Sequence, residues 1–150
     1  MKTFNGLDEL ELAVGTHLGY SGWHTITQEQ IDLFAEATGD HQWIHTDPER
    51  AAAGPFGTRV AHGYLTLSLV PSLVSQIYTV EGLRMAVNYG SNKVRFPSPV
   101  PAGSRVRAGV ELLELTRGPR GAQTVSLVTV DREGWGKPAC VAETVALLVA

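Results

Sequence analysis

Between Asp40 and His45 the chain gathers one carboxylate and two imidazoles, Asp40, His41 and His45, within six residues. Carboxylates and imidazoles are the groups most often used to move protons near neutral pH. A free carboxyl titrates near pH 4 and an imidazole near 6.5, so a partly buried pair can hold one base and one acid at once. Asp40 and His45 are read as such an acid/base pair. The spacing alone does not fix a geometry, and a plainer alternative stays open: an aspartate that caps the segment and a histidine that fills a polar hole.

A second feature is His62-Gly63, at the start of a long apolar run. The first amides of a helix have no internal partner and point beyond its end. An oxygen gaining negative charge would be stabilised there, and glycine would allow close approach to the backbone. An ordinary helix start after a glycine-rich loop is the alternative. His62 and Gln42 are read as supporting residues.

Other chemistries find less support. His41, His45, His62 and Asp40 raise the question of a metal. Gly39 before them and Asp47-Pro48 after them argue against the helix that would align His41 with His45, and no second motif completes a ligand set, so no metal is expected. Ser68 lacks the Gly-x-Ser-x-Gly elbow of a serine nucleophile. Cys140, the only cysteine, lies in a strand-like run where an inert buried thiol is expected. The glycines at 54, 57 and 63 match neither a phosphate loop nor a dinucleotide fingerprint. Lys93, Arg95, Arg105 and Arg107 could meet a phosphorylated ligand, but are read first as a solvated strand face.

The elements that would position these residues can be read from pattern. Leu7 to Val14 reads as an amphipathic helix stopped by Gly15, and Tyr20 to Ile26 as a strand. Thr27-Gln28-Glu29-Gln30 matches a capping box, opening a helix with Ile31, Phe34 and Ala35 on one face and Gly39 beyond its end. Asp40 then falls in irregular backbone just past that end. Asp47-Pro48 opens another short helix. The run from His62 to Tyr78 is apolar nearly all round, which predicts a buried helix, kinked at Pro71. From Gly82 onward, Leu83 to Phe96, Ser104 to Leu115, Ala122 to Asp131 and Lys137 to Val149 read as strands. Helices segregated from strands predict an α+β fold, its antiparallel sheet wrapped around the buried helix.

Composition bounds the remaining classes. The chain has 150 residues, 43% hydrophobic and 18% charged, with a net charge of −3. That is a globular composition, and the acidic balance argues against nucleic acid as a partner. The first residues lack the apolar core of a secretory signal, and no run reaches a membrane span, so a cytoplasmic protein without a membrane partner is expected.

Taken together, Ala37-Thr38-Gly39-Asp40-His41-Gln42-Trp43-Ile44-His45, Asp47-Pro48, Ala61-His62-Gly63 and Lys93-Val94-Arg95-Phe96-Pro97-Ser98-Pro99-Val100 with Gly103 resemble the MaoC-like (R)-specific enoyl-CoA hydratases, and the resemblance covers nearly the whole chain. It implies one hot-dog domain over residues 1–150, an antiparallel sheet around a long central helix. It implies reversible hydration of trans-2-enoyl-CoA to (R)-3-hydroxyacyl-CoA without a cofactor, in a homodimer whose sheets join edge to edge. Asp40 and His45 match the family's catalytic Asp and His, and Gly63 the glycine whose amide binds the thioester carbonyl. Gln42 and Trp43 stand where the family usually has Asn-Pro, and Pro71 where some hydratases carry a serine. A hot-dog acyl-CoA thioesterase and a non-catalytic acyl-CoA-binding subunit are the rival readings.

Overall fold

Strand β1 (Lys2–Phe4), helix α1 (Leu7–Leu12) and the short strands β2 (His17–Tyr20) and β3 (His24–Thr25) open the chain. Helices α2 (Gln28–Thr38), α3 (Trp43–Thr46), α4 (Pro48–Ala52), α5 (Gly63–Ser68) and α6 (Val70–Val74) follow, then a short strand β4 (Tyr78–Val80). Four long strands close it: β5 (Met85–Arg95), β6 (Arg105–Gly118), β7 (Gly121–Arg132) and β8 (Cys140–Val149). The computed structural model describes residues 1–150.

The main sheet is antiparallel, in the order β2-β6-β7-β8-β5, with β3 also on β6. Period-two patterning turns Val106, Ala108, Val110 and Leu112 of β6 inward, with Val128 and Val130 of β7 and Ala142 of β8. They close on Leu65, Val70, Leu73 and Ile77 from the central helix in one hydrophobic cluster. This is the α+β hot-dog arrangement, a curved antiparallel sheet folded round a helix.

Several boundaries differ from the sequence reading. The central helix is two pieces, α5 and α6, joined at Leu69. Pro71 has no N–H to give to the carbonyl one turn back, so the break falls where the proline predicts it. Leu69 N to Leu65 O (3.1 Å) and Leu73 N to Leu69 O (3.0 Å) keep the axis running through. The helix ends before Tyr78, which enters β4 and pairs in parallel with β1, a small sheet with no sequence signal beyond three residues. Nor is the helix enclosed: Tyr64, Ser68 and Pro71 are exposed. The expected strand at Tyr20 to Ile26 divides, because the Ser21 hydroxyl takes the Ala108 N–H at 2.9 Å in place of a ladder bond. In the capping box Gln30 N donates to Thr27 Oγ1 at 3.1 Å, but the Gln30 side chain bonds His24 (2.9 Å) and does not reach back.

The β6–β7 hairpin turns through Pro119 and Arg120 and depends on Gly121. Its φ is +149, and a Cβ there would overlap the Leu148 carbonyl oxygen. Gly121→Ala is therefore expected to cost about 3 kcal/mol or more. Gly136 has open space around it and serves as the control. Urea denaturation should show Gly136→Ala within about 0.5 kcal/mol of wild type.

Candidate active site

Asp40 is held by the end of α2. Gly39 takes a left-handed conformation (φ 77) and its N–H returns to Ala35 O, so the chain leaves the helix abruptly. Asp40 N donates to Thr38 Oγ1 (3.3 Å), and Asp40 Oδ1 accepts from Gln42 N (3.3 Å). The residue is exposed at its carboxylate and fixed at its backbone.

His45 sits on α3, a single turn where Gly39 and Asp47-Pro48 predict no helix. Four residues suffice for it because both ends are tied. Asp47 N returns to Trp43 O at 3.0 Å, while Asp47 Oδ1 caps α4 by accepting from Glu49 N and Arg50 N. Gln28 of α2 donates to the His45 carbonyl at 2.8 Å. The His45 ring is 7% exposed, and its Nδ1 lies 2.7 Å from the Val60 carbonyl. A carbonyl only accepts, so Nδ1 carries the proton and Nε2 of the neutral ring is the free base position. Val60 is itself clamped, its N–H on Ile44 O (3.0 Å) and its backbone bridged to Pro101. Val60 and Gln28 hold His45 without any local sequence signal, Val60 through its main-chain carbonyl and Gln28 from seventeen positions away.

His62 joins the two halves. It is 2% exposed and occupies the N-cap of α5. Its Nε2 donates to the Asp40 main-chain carbonyl at 2.9 Å. Its ring stacks on His45 with centroids 3.8 Å apart and planes 23° from parallel, and Phe34 lies against it at 4.9 Å. The other nitrogen, Nδ1, is buried without a partner. Gly63 follows as the first residue of α5, and its N–H has no intrahelical acceptor. A Cβ on Gly63 would come within 2.9 Å of the Phe96 ring, so glycine lets that ring lie flat on the backbone.

Beyond this point a cavity of about 460 Å³ runs between α5–α6 and the concave face of the sheet, lined by Leu67, Pro71, Val74 and residues of β5 to β8.

The structure thus brings together Asp40, His45 and His62, whose possible ligand atoms all lie within 4.8 Å, with Gly63 next in sequence. One water bridging two acceptors spans such a distance. Other residues are elsewhere. His41 turns outward to Glu36 at 3.3 Å. Gln42 acts through its backbone as N-cap of α3, its side chain without a hydrogen bond. Trp43 packs against Gly54 and under Arg50, away from the cluster. Burial pushes the Cys140 thiol up to about 11, the inert state expected. Arg107 lies between Tyr20 and Trp23, and Arg105 pairs with Glu133.

Burial holds the His45 imidazole below its ordinary value, with neighbouring His62 acting the same way; the Val60 carbonyl and Asp40 oppose this without cancelling it. Above pH 6.5 His45 is neutral folded and unfolded alike. On acidification the unfolded chain takes up the proton first, so this group's contribution falls from pH 6.5 downward and levels below the folded value. Stability against urea should therefore decline more steeply between pH 7 and 5 in wild type than in His45→Gln. A steeper decline in the variant would contradict the assignment.

A sheet folded round a central helix, with a carboxylate and two imidazoles gathered at that helix's N-terminus, defines a hot-dog protein. Residues 9–133 match the family model described as a MaoC like domain, and the chain belongs to the MaoC-like dehydratases, enzymes of the hydro-lyase class. It is 57% identical, over the full length of both chains, to 3-hydroxyacyl-thioester dehydratase Z of Mycobacterium tuberculosis. It is 45% identical to Nodulation protein N of Rhizobium leguminosarum bv. viciae, covering 95% of this chain and 93% of that protein. Among solved structures it resembles the (R)-hydratase from A. caviae involved in PHA biosynthesis, at TM-score 0.74 and 27% identity, over 90% of this chain and 96% of that one. No helix is long and apolar enough to cross a membrane.

Proposed function

We propose that the chain is an (R)-specific enoyl-CoA hydratase of fatty acid metabolism, interconverting trans-2-enoyl-CoA and (R)-3-hydroxyacyl-CoA. The observation that carries this reading is the linkage, through His62, of Asp40 and His45 to the start of α5, where the Gly63 N–H is free. The Gly63 amide receives the thioester carbonyl. Polarising that oxygen makes C3 electrophilic and stabilises the enolate that follows. Asp40 and His45 hold a water over C3. Its oxygen forms the C3–O bond while the pair takes its proton, the carbon–carbon double bond opens toward the carbonyl, and the pair returns one proton to C2 on the same face, which restores both groups. The pair shares its titration, so the cycle is assigned to both groups together. The relative's name, a 3-hydroxyacyl-thioester dehydratase, describes the reverse direction of the same equilibrium.

The working assembly in this reading is a homodimer. Strand β5 ends the sheet, and ten of its eleven residues are exposed, Met85, Val87 and Tyr89 among them. So long an edge, with its outer N–H and C=O groups unpaired, invites pairing with a second copy. The same strand walls the cavity, so pairing there would help to close it.

Crotonyl-CoA is the test substrate. Hydration removes the conjugated thioester's absorbance, and a coupled dehydrogenase specific for the (R) alcohol reads the stereochemistry. Release of free thiol from saturated acyl-CoA without hydration would replace this reading with a thioesterase. Acyl-CoA binding without turnover would replace it with a binding subunit.

A further inference from the structure

One wall of the cavity is more polar than a core requires. The inward positions of β6 to β8 are mostly Val, Ala, Leu and Cys. Facing the cavity, Thr124 and Ser126 of β7 and Thr144 of β8 interrupt that pattern. Thr124 and Ser126 are two apart on one strand and so share a face, and Ser126 is the register partner of Thr144. Thr124 is only 2% exposed and Ser126 7%. Neither hydroxyl has a partner within the chain, and Thr144 Oγ1 has only a long contact to the Ser126 carbonyl, 3.5 Å. Ser68, on the helix side, differs: its hydroxyl is taken by Tyr64 O at 2.6 Å. No acidic or basic side chain lines the space. The Thr124 and Ser126 hydroxyls open onto the cavity, so whatever fills it, water or a polar group of a ligand, supplies their hydrogen bonds.

The cavity also lies where an acyl tail would run. Gly63, Leu67, Val70 and Val74 recur at intervals of four, three and four, one side of the central helix. Measured along the axis, the cavity's helical wall begins about 6 Å and ends about 16 Å from Gly63.

We propose that Thr124, Ser126 and Thr144 are specificity residues for an acyl chain that carries an uncharged oxygen, a hydroxyl or keto group, on its distal half. Hydroxyls both donate and accept, so the triad satisfies either group, while the absence of a cation in the wall disfavours a carboxylate. The inference rests on the thioester carbonyl being held at Gly63.

The test compares trans-2-decenoyl-CoA with counterparts bearing one hydroxyl at successive distal carbons. At least one hydroxylated chain is expected to exceed the plain chain in kcat/KM by about 10-fold, the worth of one well-placed hydrogen bond. Thr124→Val and Ser126→Ala, singly and together, should bring that ratio toward one. The ratio is read within each protein, so loss of active material does not distort it, and melting temperatures should hold because neither hydroxyl bonds to another group of the fold. A wild-type preference for the plain chain at every position, or a ratio unmoved in the double variant, overturns the proposal. Wild-type turnover of crotonyl-CoA, too short to reach the triad, separates this failure from failure of the hydratase reading itself.

Discussion

Asp40→Asn and His45→Gln are each expected to lower kcat/KM for crotonyl-CoA by about 100-fold or more, the usual cost of losing a positioned acid or base. Both substitutions conserve shape. Asparagine still offers an oxygen to Gln42 N, and the His62 bond goes to the Asp40 main chain, so the loop keeps its anchors. Glutamine at 45 still has an N–H for the Val60 carbonyl. Only the titratable groups are lost. In the proposed mechanism Asp40 and His45 act on one water, so the double variant should be little worse than the poorer single one. Losses that multiply would indicate two independent roles. His41→Gln is the control: that ring points to Glu36 at the surface, and turnover should stay within about twofold of wild type. Undiminished turnover in both Asp40→Asn and His45→Gln would remove the assignment altogether.

How much of this could be read from the sequence depends on the range of the interactions involved. Local signals held. Thr27, Gly39 and Asp47 cap where their residue types say, because a cap is made within three or four positions. The long strands follow their alternation, with ends shifted by a few residues. Gly63 and the Asp40–His45 pair were legible as chemistry but not as geometry. Their meeting depends on His62 crossing 22 positions to Asp40 and on Val60 crossing 15 to His45. His62 showed its type without its role, since stacking on His45 has no sequence signature. Helix α3 escaped because its stability is tertiary: one turn between a glycine and a proline has no propensity of its own. The apolar run of the central helix suggested burial on all sides. One side stands open in the single chain, and a periodicity count cannot tell a core-facing leucine from one that lines a cavity or a subunit contact.

Replacing Gly63 tests the other half of the site, and proline is the informative substitution. The Gly63 amide should be the donor to the thioester carbonyl, and proline deletes that donor while adding a Cβ as alanine does. Position N1 of a helix tolerates proline because its N–H has no intrahelical acceptor. His62 already holds φ −59 and ψ 135, the extended conformation that a residue before proline prefers. The helix start should therefore survive. Gly63→Ala supplies the steric control. Its Cβ would press on Phe96 at 2.9 Å, but that ring is 38% exposed and rests edge-on against exposed Tyr64, so it can yield. Alanine is expected to cost about 10-fold in kcat/KM through crowding of the carbonyl's approach. Proline is expected to cost about 1,000-fold, because crowding and the loss of one oxyanion donor add. The difference between the two isolates the amide. Melting temperatures within a few degrees of wild type would show that the fold is intact. Should the two variants lose equally, Gly63 serves only to make room, and the carbonyl must take its hydrogen bond from another group.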